Sequence, residues 1–306
     1  MDLCARPLTG QLRDLARTAL RQQGMPVRRL RWMGQHSNHL FRCDTVAGER
    51  LIVRACLPGG RGDAELDAEL AWLAALARDT GLTVPVARFS TRVATPGLPD
   101  GGRCIGFSWV QGRPCGRLPS RRLVADLGRV IGTLHSHAQG FRPPPGFTRP
   151  VLDVGYLTWA GAWHAGQIAR RPIDPAVRRV LAETAGRVQA VFTRLGQDRA
   201  GYGLVHADLC RENILDHHGQ ARPIDFDDAS WGHYALDLAI AADDIPEMLR
   251  PVLLGGYQAV QPLPPGYQEH QAALLAARRL FLAIWHLANG LPDEGRVGQL
   301  RAFTES

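Results

Sequence analysis

The order of hydrophobic and polar positions predicts a small sheet early in the chain and mainly helices after it. Leucines and alanines recur at helical spacing over residues 8–23, and a second helix is predicted over residues 63–79. A turn is predicted at the Pro- and Gly-rich residues 96–102. Strands are predicted at residues 27–33, 40–43, 50–56, 84–95 and 102–110.

Helical periodicity dominates the second half of the chain. Helices are predicted at residues 119–138, 156–170, 174–196, 247–260 and 268–288, with another beginning at Gly232. His135 and His137 are two residues apart in the first of these, so they point to different sides of the helix and form a poor metal pair. We expect them to serve packing or to lie as charges near the helix end.

Composition indicates a soluble, globular protein that is large enough for two lobes. The chain has 306 residues, of which 45% are hydrophobic and 21% are charged. No apolar run approaches the ~18 residues that a membrane helix needs, and the amino terminus lacks a signal-peptide pattern. The six cysteines form no CxxC pair, which predicts free thiols in a reducing cytosol. We therefore expect a cytoplasmic protein without a membrane partner.

All 36 basic residues are arginine, and this excludes two classes of site. A Walker A loop needs the lysine of its GK[ST] motif, and a pyridoxal phosphate enzyme needs a lysine for the Schiff base. The net charge is +7, but the arginines are scattered without a dense basic run or interleaved aromatic residues. The sequence therefore predicts no nucleic-acid partner.

The strongest chemical signal is a polar loop at residues 206–213, flanked by two short apolar runs. It holds His206, Asp208 and Asn213, and a further short strand then delivers Asp225, seventeen residues after Asp208. In phosphoryl transfer one carboxylate accepts the proton of the acceptor hydroxyl, and Mg²⁺ needs hard oxygen ligands. The spacing predicts Asp208 as the base, Asn213 and Asp225 as Mg²⁺ ligands, and His206 as a brace of the loop. The alternative is a polar turn in which Asp and Asn serve turn chemistry alone.

These motifs, His-Ala-Asp with Asn213 five residues after the aspartate and Ile-Asp-Phe-Asp at residues 224–227, resemble those of the aminoglycoside phosphotransferase and choline kinase family. Homoserine-kinase-like enzymes and bacterial stress-response Ser/Thr kinases share them. The resemblance implies an α+β, protein-kinase-like fold with two lobes. Residues 1–110 would form the lobe that binds nucleotide phosphates, and residues 111–306 the lobe with the catalytic loop, the metal site and the acceptor pocket.

The resemblance also assigns nucleotide-binding residues in the first lobe. Ser37 and Asn38, in the Gly34-Gln-His-Ser-Asn38 hairpin loop, are expected to cover the phosphates. Arg54 stands where a kinase carries its phosphate-binding lysine, and Glu69, on an apolar helix face, is its expected counter-ion. The alternatives are a solvated Arg54 on an edge strand and Glu65 as its rival partner.

Further residues follow from the same resemblance. Adenine is expected to bind the backbone of the hinge near Trp109 and Val110, although a plain strand edge is the alternative. Asp227 would assist as a supporting carboxylate, and Asp237 would hold the backbone of the catalytic loop. Independently of the resemblance, four residues behind the stiff Pro-rich loop at 142–146 are candidates for the acceptor pocket: Asp153, Tyr156, Trp159 and Trp163.

A late acidic cluster is open to two interpretations. Asp243, Asp244 and Glu247 could attract a cationic acceptor, such as an amino sugar or an amine, or they could be solvated charges at a helix junction.

The sequence thus predicts a phosphotransferase that uses ATP and Mg²⁺ and moves the γ-phosphate to a hydroxyl of a small molecule. The acceptor would be an aminoglycoside, an amino alcohol or a homoserine-like compound. Two alternatives remain: a protein Ser/Thr kinase, and a non-catalytic nucleotide-binding pseudokinase. The oligomeric state is left open.

Overall fold

The computed structural model describes residues 5–35, 39–58, 60–159, 173–292 and 295–305. The chain divides into two compact units. They comprise Met1–Gln111 with Pro143–Thr148, and Gly112–Arg142 with Arg149–Ser306.

The first unit contains a five-stranded antiparallel sheet and two helices. The strands are β1 (Val27–Gln35), β2 (His39–Thr45), β3 (Arg50–Cys56), β4 (Ala87–Thr95) and β5 (Leu98–Ser108), in the spatial order β1-β2-β3-β5-β4. The helices are α1 (Ala5–Gln22) and α2 (Asp63–Asp79). Alternate residues of β3 point to opposite faces of the sheet. Leu51, Val53 and Ala55 therefore join leucines of α1 in the core, and Arg54 faces the other way.

Two predicted boundaries in this unit are wrong. The turn predicted at residues 96–102 is shorter, because β5 begins at Leu98 and Thr95 pairs directly with Leu98. Gly and Pro indicated a loop, but backbone hydrogen bonds of the ladder need no side chain. At its other end β5 stops at Ser108, so Trp109 follows the strand instead of lying within it.

The second unit is mainly helical. Its helices are α3 (Arg121–Gly140), α4 (Val154–Trp159), α5 (Pro175–Leu195), α6 (Tyr234–Asp243), α7 (Arg250–Gln258), α8 (Tyr267–Asn289) and α9 (Arg296–Glu305). The strands β6 (Arg113–Pro114), β8 (Ile214–His217) and β9 (Gln220–Pro223) form one small sheet, and β7 (Tyr202–Val205) pairs with β10 (Ser230–His233). The ends of β7 and β8 therefore hold the two ends of the polar loop at residues 206–213.

Several helix predictions in this unit need correction. The helix expected from Gly232 begins at Tyr234, because residues 230–233 pair with β7. The helix expected at residues 247–260 starts as a 3-10 turn and becomes α-helical only at Arg250. Helix α9 was not predicted, and the end of the helix predicted at residues 156–170 lies outside the described residues.

The described helices include none that is both long and apolar enough to cross a membrane. The α+β class predicted from the sequence is confirmed by the two units.

Candidate active site

The polar loop is held by a buried carboxylate on α6. Asp237 is 0% exposed, and its two oxygens accept hydrogen bonds from the backbone N–H groups of His206 (2.8 Å) and Ala207 (2.7 Å). Ala207 has a φ of 68°, in the left-handed region that residues other than glycine seldom occupy. The carboxylate of Asp237 stabilises this conformation by accepting both backbone N–H groups.

A series of hydrogen-bonded side chains connects Asp237 to residues of α3 and α7. His135 Nε2 lies 3.2 Å from Asp237 Oδ2, and His135 Nδ1 lies 3.0 Å from the hydroxyl of Tyr257. Gln261 donates to the same hydroxyl at 2.7 Å. The donors and acceptors of these hydrogen bonds are consistent when the ring proton of His135 is on Nε2, so that Nε2 donates to Asp237 and Nδ1 accepts from the hydroxyl of Tyr257. His135 thus supports the carboxylate that supports the loop, a contact that the sequence did not reveal.

Asp208 and Asn213 are brought together within the loop. The amide nitrogen of Asn213 donates to Asp208 Oδ2 (2.8 Å) and to the backbone oxygen of Asp208 (2.9 Å). The amide oxygen of Asn213 is therefore the atom left for a cation. His206 Nε2 lies 3.1 Å from the backbone oxygen of Ile224, and this contact ties the loop to the segment that delivers Asp225.

Asp225 lies at a sharp change of backbone direction. Its φ of 63° is left-handed, and the 3-10 turn Phe226–Asp228 follows it. The buried guanidinium of Arg149 donates to the backbone oxygens of Asp227 and Ala229 and fixes this turn. Arg149 is a positioning residue that the sequence analysis missed.

The donor set suits Mg²⁺ better than a softer metal. An amide oxygen and a carboxylate are hard oxygen ligands, and Mg²⁺ usually keeps several waters and takes further oxygens from substrate phosphates. Within the described ranges no group of three or more His, Cys, Asp or Glu side chains is placed to hold a metal ion by itself. A bound nucleotide would complete such a site.

A second residue missed by the sequence analysis, Arg278 of α8, contacts the predicted base directly. Its Nη2 donates to Asp208 Oδ1. The two side chains are 17% and 21% exposed, so this ion pair is largely shielded from water. The same guanidinium lies over the ring of Phe281, 5.7 Å from its centroid.

In the first unit, the predicted pair of Arg54 and Glu69 is present. The two join through two parallel hydrogen bonds, Nη2 to Oε2 at 2.7 Å and Nη1 to Oε1 at 3.1 Å. Both residues are buried, with 3% and 2% exposed, and the guanidinium lies 5.0 Å from the ring centroid of Phe107. The rival Glu65 pairs instead with Arg61 at 3.5 Å. The forked geometry explains why a buried arginine is tolerated here.

Trp109 and Val110, predicted to lie near adenine, have a local structural role in the first unit. The ring of Trp109 has the guanidinium of Arg42 at 5.2 Å and that of Arg50 at 5.1 Å from its centroid, while Val110 is buried. Ser37 and Asn38, predicted to cover the phosphates, lie outside the described residues.

The late acidic cluster is largely neutralised within the second unit. Asp243 pairs with Arg279 at 3.2 Å. Asp244 pairs with Arg211 at 3.0 Å and also accepts the backbone N–H of that arginine. Glu247 is exposed. Two of the three carboxylates are thus already matched by arginines of the chain.

Of the four candidates for the acceptor pocket, the structure describes the side chains of two, and these two have different contacts. Asp153 accepts the backbone N–H of Tyr156 at 2.7 Å and so begins α4, whereas Tyr156 itself lines a recess next to the catalytic loop. The side chain of Trp159 and all of Trp163 lie outside the described residues. Cys210, in the same loop as Asp208, is no candidate nucleophile, because burial raises the pKa of its thiol to about 12.

Comparisons with known proteins place this geometry in a family. A model of the phosphotransferase enzyme family matches residues 28–272. Amicoumacin kinase of Bacillus subtilis is 29% identical over 119 residues, which cover 39% of this chain and 32% of that protein. Homoserine kinase of Neisseria meningitidis serogroup B is 40% identical over 156 residues, which cover 48% of this chain and 47% of that protein. The aligned segments thus span less than half of either relative.

A solved structure supports the fold over nearly the whole chain. The amicoumacin kinase hAmiN, in complex with AMP-PNP, Ca²⁺ and Ami, superposes with a TM-score of 0.76 and covers 94% of this chain and 92% of its own. The two sequences are 17% identical, so this likeness shows the fold alone. The kinase-like fold predicted from the sequence is confirmed.

Proposed function

Because this chain belongs to the phosphotransferase enzyme family, we propose that it transfers the γ-phosphate of ATP to a hydroxyl group of a small molecule, with Mg²⁺ as the metal. The observation that carries the proposal is the contact between Asp208 and Asn213 on a loop whose backbone is fixed by Asp237. Phosphoryl transfer depends mainly on positioning and on offsetting charge, and this cluster is suited to both.

Each residue of the cluster has one role in this proposal. Asp208 accepts the proton of the acceptor hydroxyl, and His206 and Asp237 keep its loop in place. Asn213 and Asp225 hold Mg²⁺, which offsets the phosphate charge when bound. Asp227 supports the metal-binding turn.

Residues 1–110 are proposed to bind the nucleotide, and residues 111–306 to supply the catalytic loop and the acceptor pocket. Arg54 contacts the phosphates in place of a lysine, and Glu69 orients its guanidinium. The remaining proposed nucleotide contacts come from Ser37, Asn38 and the hinge backbone at Trp109 and Val110.

The acceptor class is proposed from the relatives. Their names specify amicoumacin and homoserine as substrates, and both relatives act as kinases. We propose an acceptor of comparable size that offers a hydroxyl: an aminoglycoside-like compound, an amino alcohol or a homoserine-like compound.

The test is phosphoryl transfer from γ-labelled ATP to a panel of hydroxyl compounds, with casein as a protein acceptor and EDTA as the metal control. Asp208→Asn should abolish labelling of the acceptor while nucleotide affinity, measured by calorimetry, is retained. Glu212→Gln is the matched control, because Glu212 is exposed in the same loop, and it should keep full turnover.

The outcomes separate the alternatives. Labelling of a small molecule that requires both Asp208 and the metal supports the proposal. Labelling of casein alone would identify a protein kinase, and nucleotide binding without any transfer would identify a pseudokinase. Unchanged turnover in Asp208→Asn would remove Asp208 from its assigned role.

A further inference from the structure

The second unit contains a small, partly open recess beside the catalytic loop. Its lining is mixed in character and consists of Leu152, Tyr156, Ala207, Asp228, Arg278 and Phe281. The rings of Tyr156 and Phe281 lie nearly parallel, 10° apart in plane with centroids 6.0 Å apart. Ala207 directly precedes Asp208, so the recess opens next to the proposed base.

Arg278 contributes unused hydrogen-bond donors to this recess. A guanidinium has five N–H donors, and one nitrogen of Arg278, Nη2, donates to Asp208 Oδ1. Across the described ranges, no other protein atom accepts a hydrogen bond from Arg278. A planar fork of N–H groups matches a carboxylate in shape and charge better than it matches a neutral group.

The reacting hydroxyl must come close to this fork. A hydroxyl that gives its proton to Asp208 lies about 2.6–3.2 Å from a carboxylate oxygen. Asn213 engages Oδ2 and Arg278 engages Oδ1, and each oxygen keeps one further acceptor position. A group a few bonds from the hydroxyl therefore falls within reach of the remaining donors of Arg278.

The charges around the recess are of both signs. The carboxylates of Asp243 and Asp244, which the sequence offered as a cation-attracting cluster, are paired with Arg279 and Arg211. Among the described residues that line the recess, Arg278 is the cationic side chain and Asp228 the anionic one, so a carboxylate group of the acceptor is expected on the Arg278 side.

Resting on the function proposed above, we propose that Arg278 is a specificity-determining residue that selects acceptors with a carboxylate a few bonds from the phosphorylated hydroxyl. The apolar side chains of the recess, including Phe281, contact the carbon skeleton, and the free edge of Arg278 binds the carboxylate.

The test compares three acceptors that differ at one position. Homoserine carries the carboxylate, homoserinamide replaces it with a neutral amide, and 3-aminopropanol has a hydrogen there. The kcat/KM of each is measured for the wild type, Arg278→Met and Arg278→Lys. Arg279→Met is the matched control, because that neighbouring arginine pairs with Asp243 instead of Asp208.

We expect the kcat/KM of the wild type to be about 10- to 100-fold higher for homoserine than for 3-aminopropanol, which is the effect of a hydrogen bond between charged groups. Arg278→Met should bring the ratio of homoserine to 3-aminopropanol close to one, and Arg278→Lys should restore part of it. Arg279→Met should retain the wild-type ratio. Because Arg278 also contacts Asp208, the ratio between acceptors is the decisive readout and not the absolute rate.

Other outcomes overturn the inference. If the wild type treats the three compounds alike, or if Arg278→Met slows all three equally, Arg278 acts through Asp208 alone. Transfer only to hydroxyl compounds that carry no carboxylate would refute the carboxylate selection and leave the proposed function intact. Absence of Asp208-dependent transfer to every compound of the wider panel would overturn both.

Discussion

Replacing Asp237 with asparagine should destabilise the protein and disable the catalytic loop. The carboxylate accepts hydrogen bonds from the backbone N–H groups of His206 and Ala207 and from the ring of His135. Asparagine keeps one oxygen, so in either orientation of the amide its NH₂ group faces one of the two backbone N–H donors. The left-handed conformation of Ala207 then loses the interaction that stabilises it.

The magnitude follows from these contacts. A hydrogen bond to a charged group contributes about 1.5–3 kcal/mol, and a buried donor without an acceptor costs about 1–3 kcal/mol. Asp237→Asn should therefore lower the free energy of unfolding by about 3 kcal/mol. Displacement of the loop by about 1 Å should reduce phosphoryl transfer by about 100-fold.

The assay is urea denaturation at pH 7, followed through tryptophan fluorescence, together with phosphoryl transfer from labelled ATP. Asp243→Asn is the matched control, because Asp243 lies on the same helix and its partially exposed ion pair with Arg279 should contribute at most about 1 kcal/mol. Equal unfolding free energies in the two variants would refute the view that Asp237 holds the loop.

Three further predictions concern other parts of the chain. Gly128→Ala should lower the free energy of unfolding, measured by heat or urea, by several kcal/mol, because the added Cβ would overlap the backbone oxygen of Leu253. Gly140→Ala, near the end of the same helix, should leave the free energy of unfolding unchanged, because open space surrounds that position. Burial lowers the pKa of His233 from 6.5 to about 4. Between these pH values the unfolded chain therefore binds a proton that the folded chain lacks. The contribution of neutral His233 to the unfolding free energy should be complete above pH 6.5, and the unfolding free energy should fall by about 3 kcal/mol as the pH decreases to 4. His233→Phe should remove that part of the acid sensitivity, and an unchanged pH profile would contradict the assignment. Cys210, whose pKa burial raises to about 12, should resist iodoacetamide at pH 8 in the folded protein and react after denaturation, as mass spectrometry would record.

The sequence predicted those parts of the candidate site that are encoded locally. Asp208 and Asn213 lie five residues apart in one loop, where their spacing marked them as a base and a metal ligand, and the structure joins their side chains by a hydrogen bond. The apolar helical neighbours of Glu69 favour it over Glu65 as the partner of Arg54, and the structure contains that pair. The spacing of residues within one loop or one helix is sufficient to predict these features.

Contacts between segments that are distant in the sequence were not predicted from such spacing. Arg278 is one of 36 arginines and lies seventy residues after Asp208, and their contact depends on how α8 packs. A signal was nonetheless available, since Leu274 and Phe281, its neighbours at i−4 and i+3, are apolar, as are those of Glu69. The contact of His135 with Asp237 was not predicted, because the two residues are 102 positions apart and the spacing from His135 to His137 carries no information about it.

The buried Arg54 has a consequence for chemical labelling and inhibitor design. A lysine at the phosphate-binding position offers an amine that loses its proton at alkaline pH and then reacts with acylating reagents. A guanidinium stays protonated throughout the pH range of a folded protein, and this sequence contains no lysine side chain at all. Nucleotide probes that acylate a kinase lysine would therefore find no target side chain here, and since both Nη nitrogens of Arg54 are hydrogen-bonded to Glu69, a covalent inhibitor would have to react with a different kind of side chain.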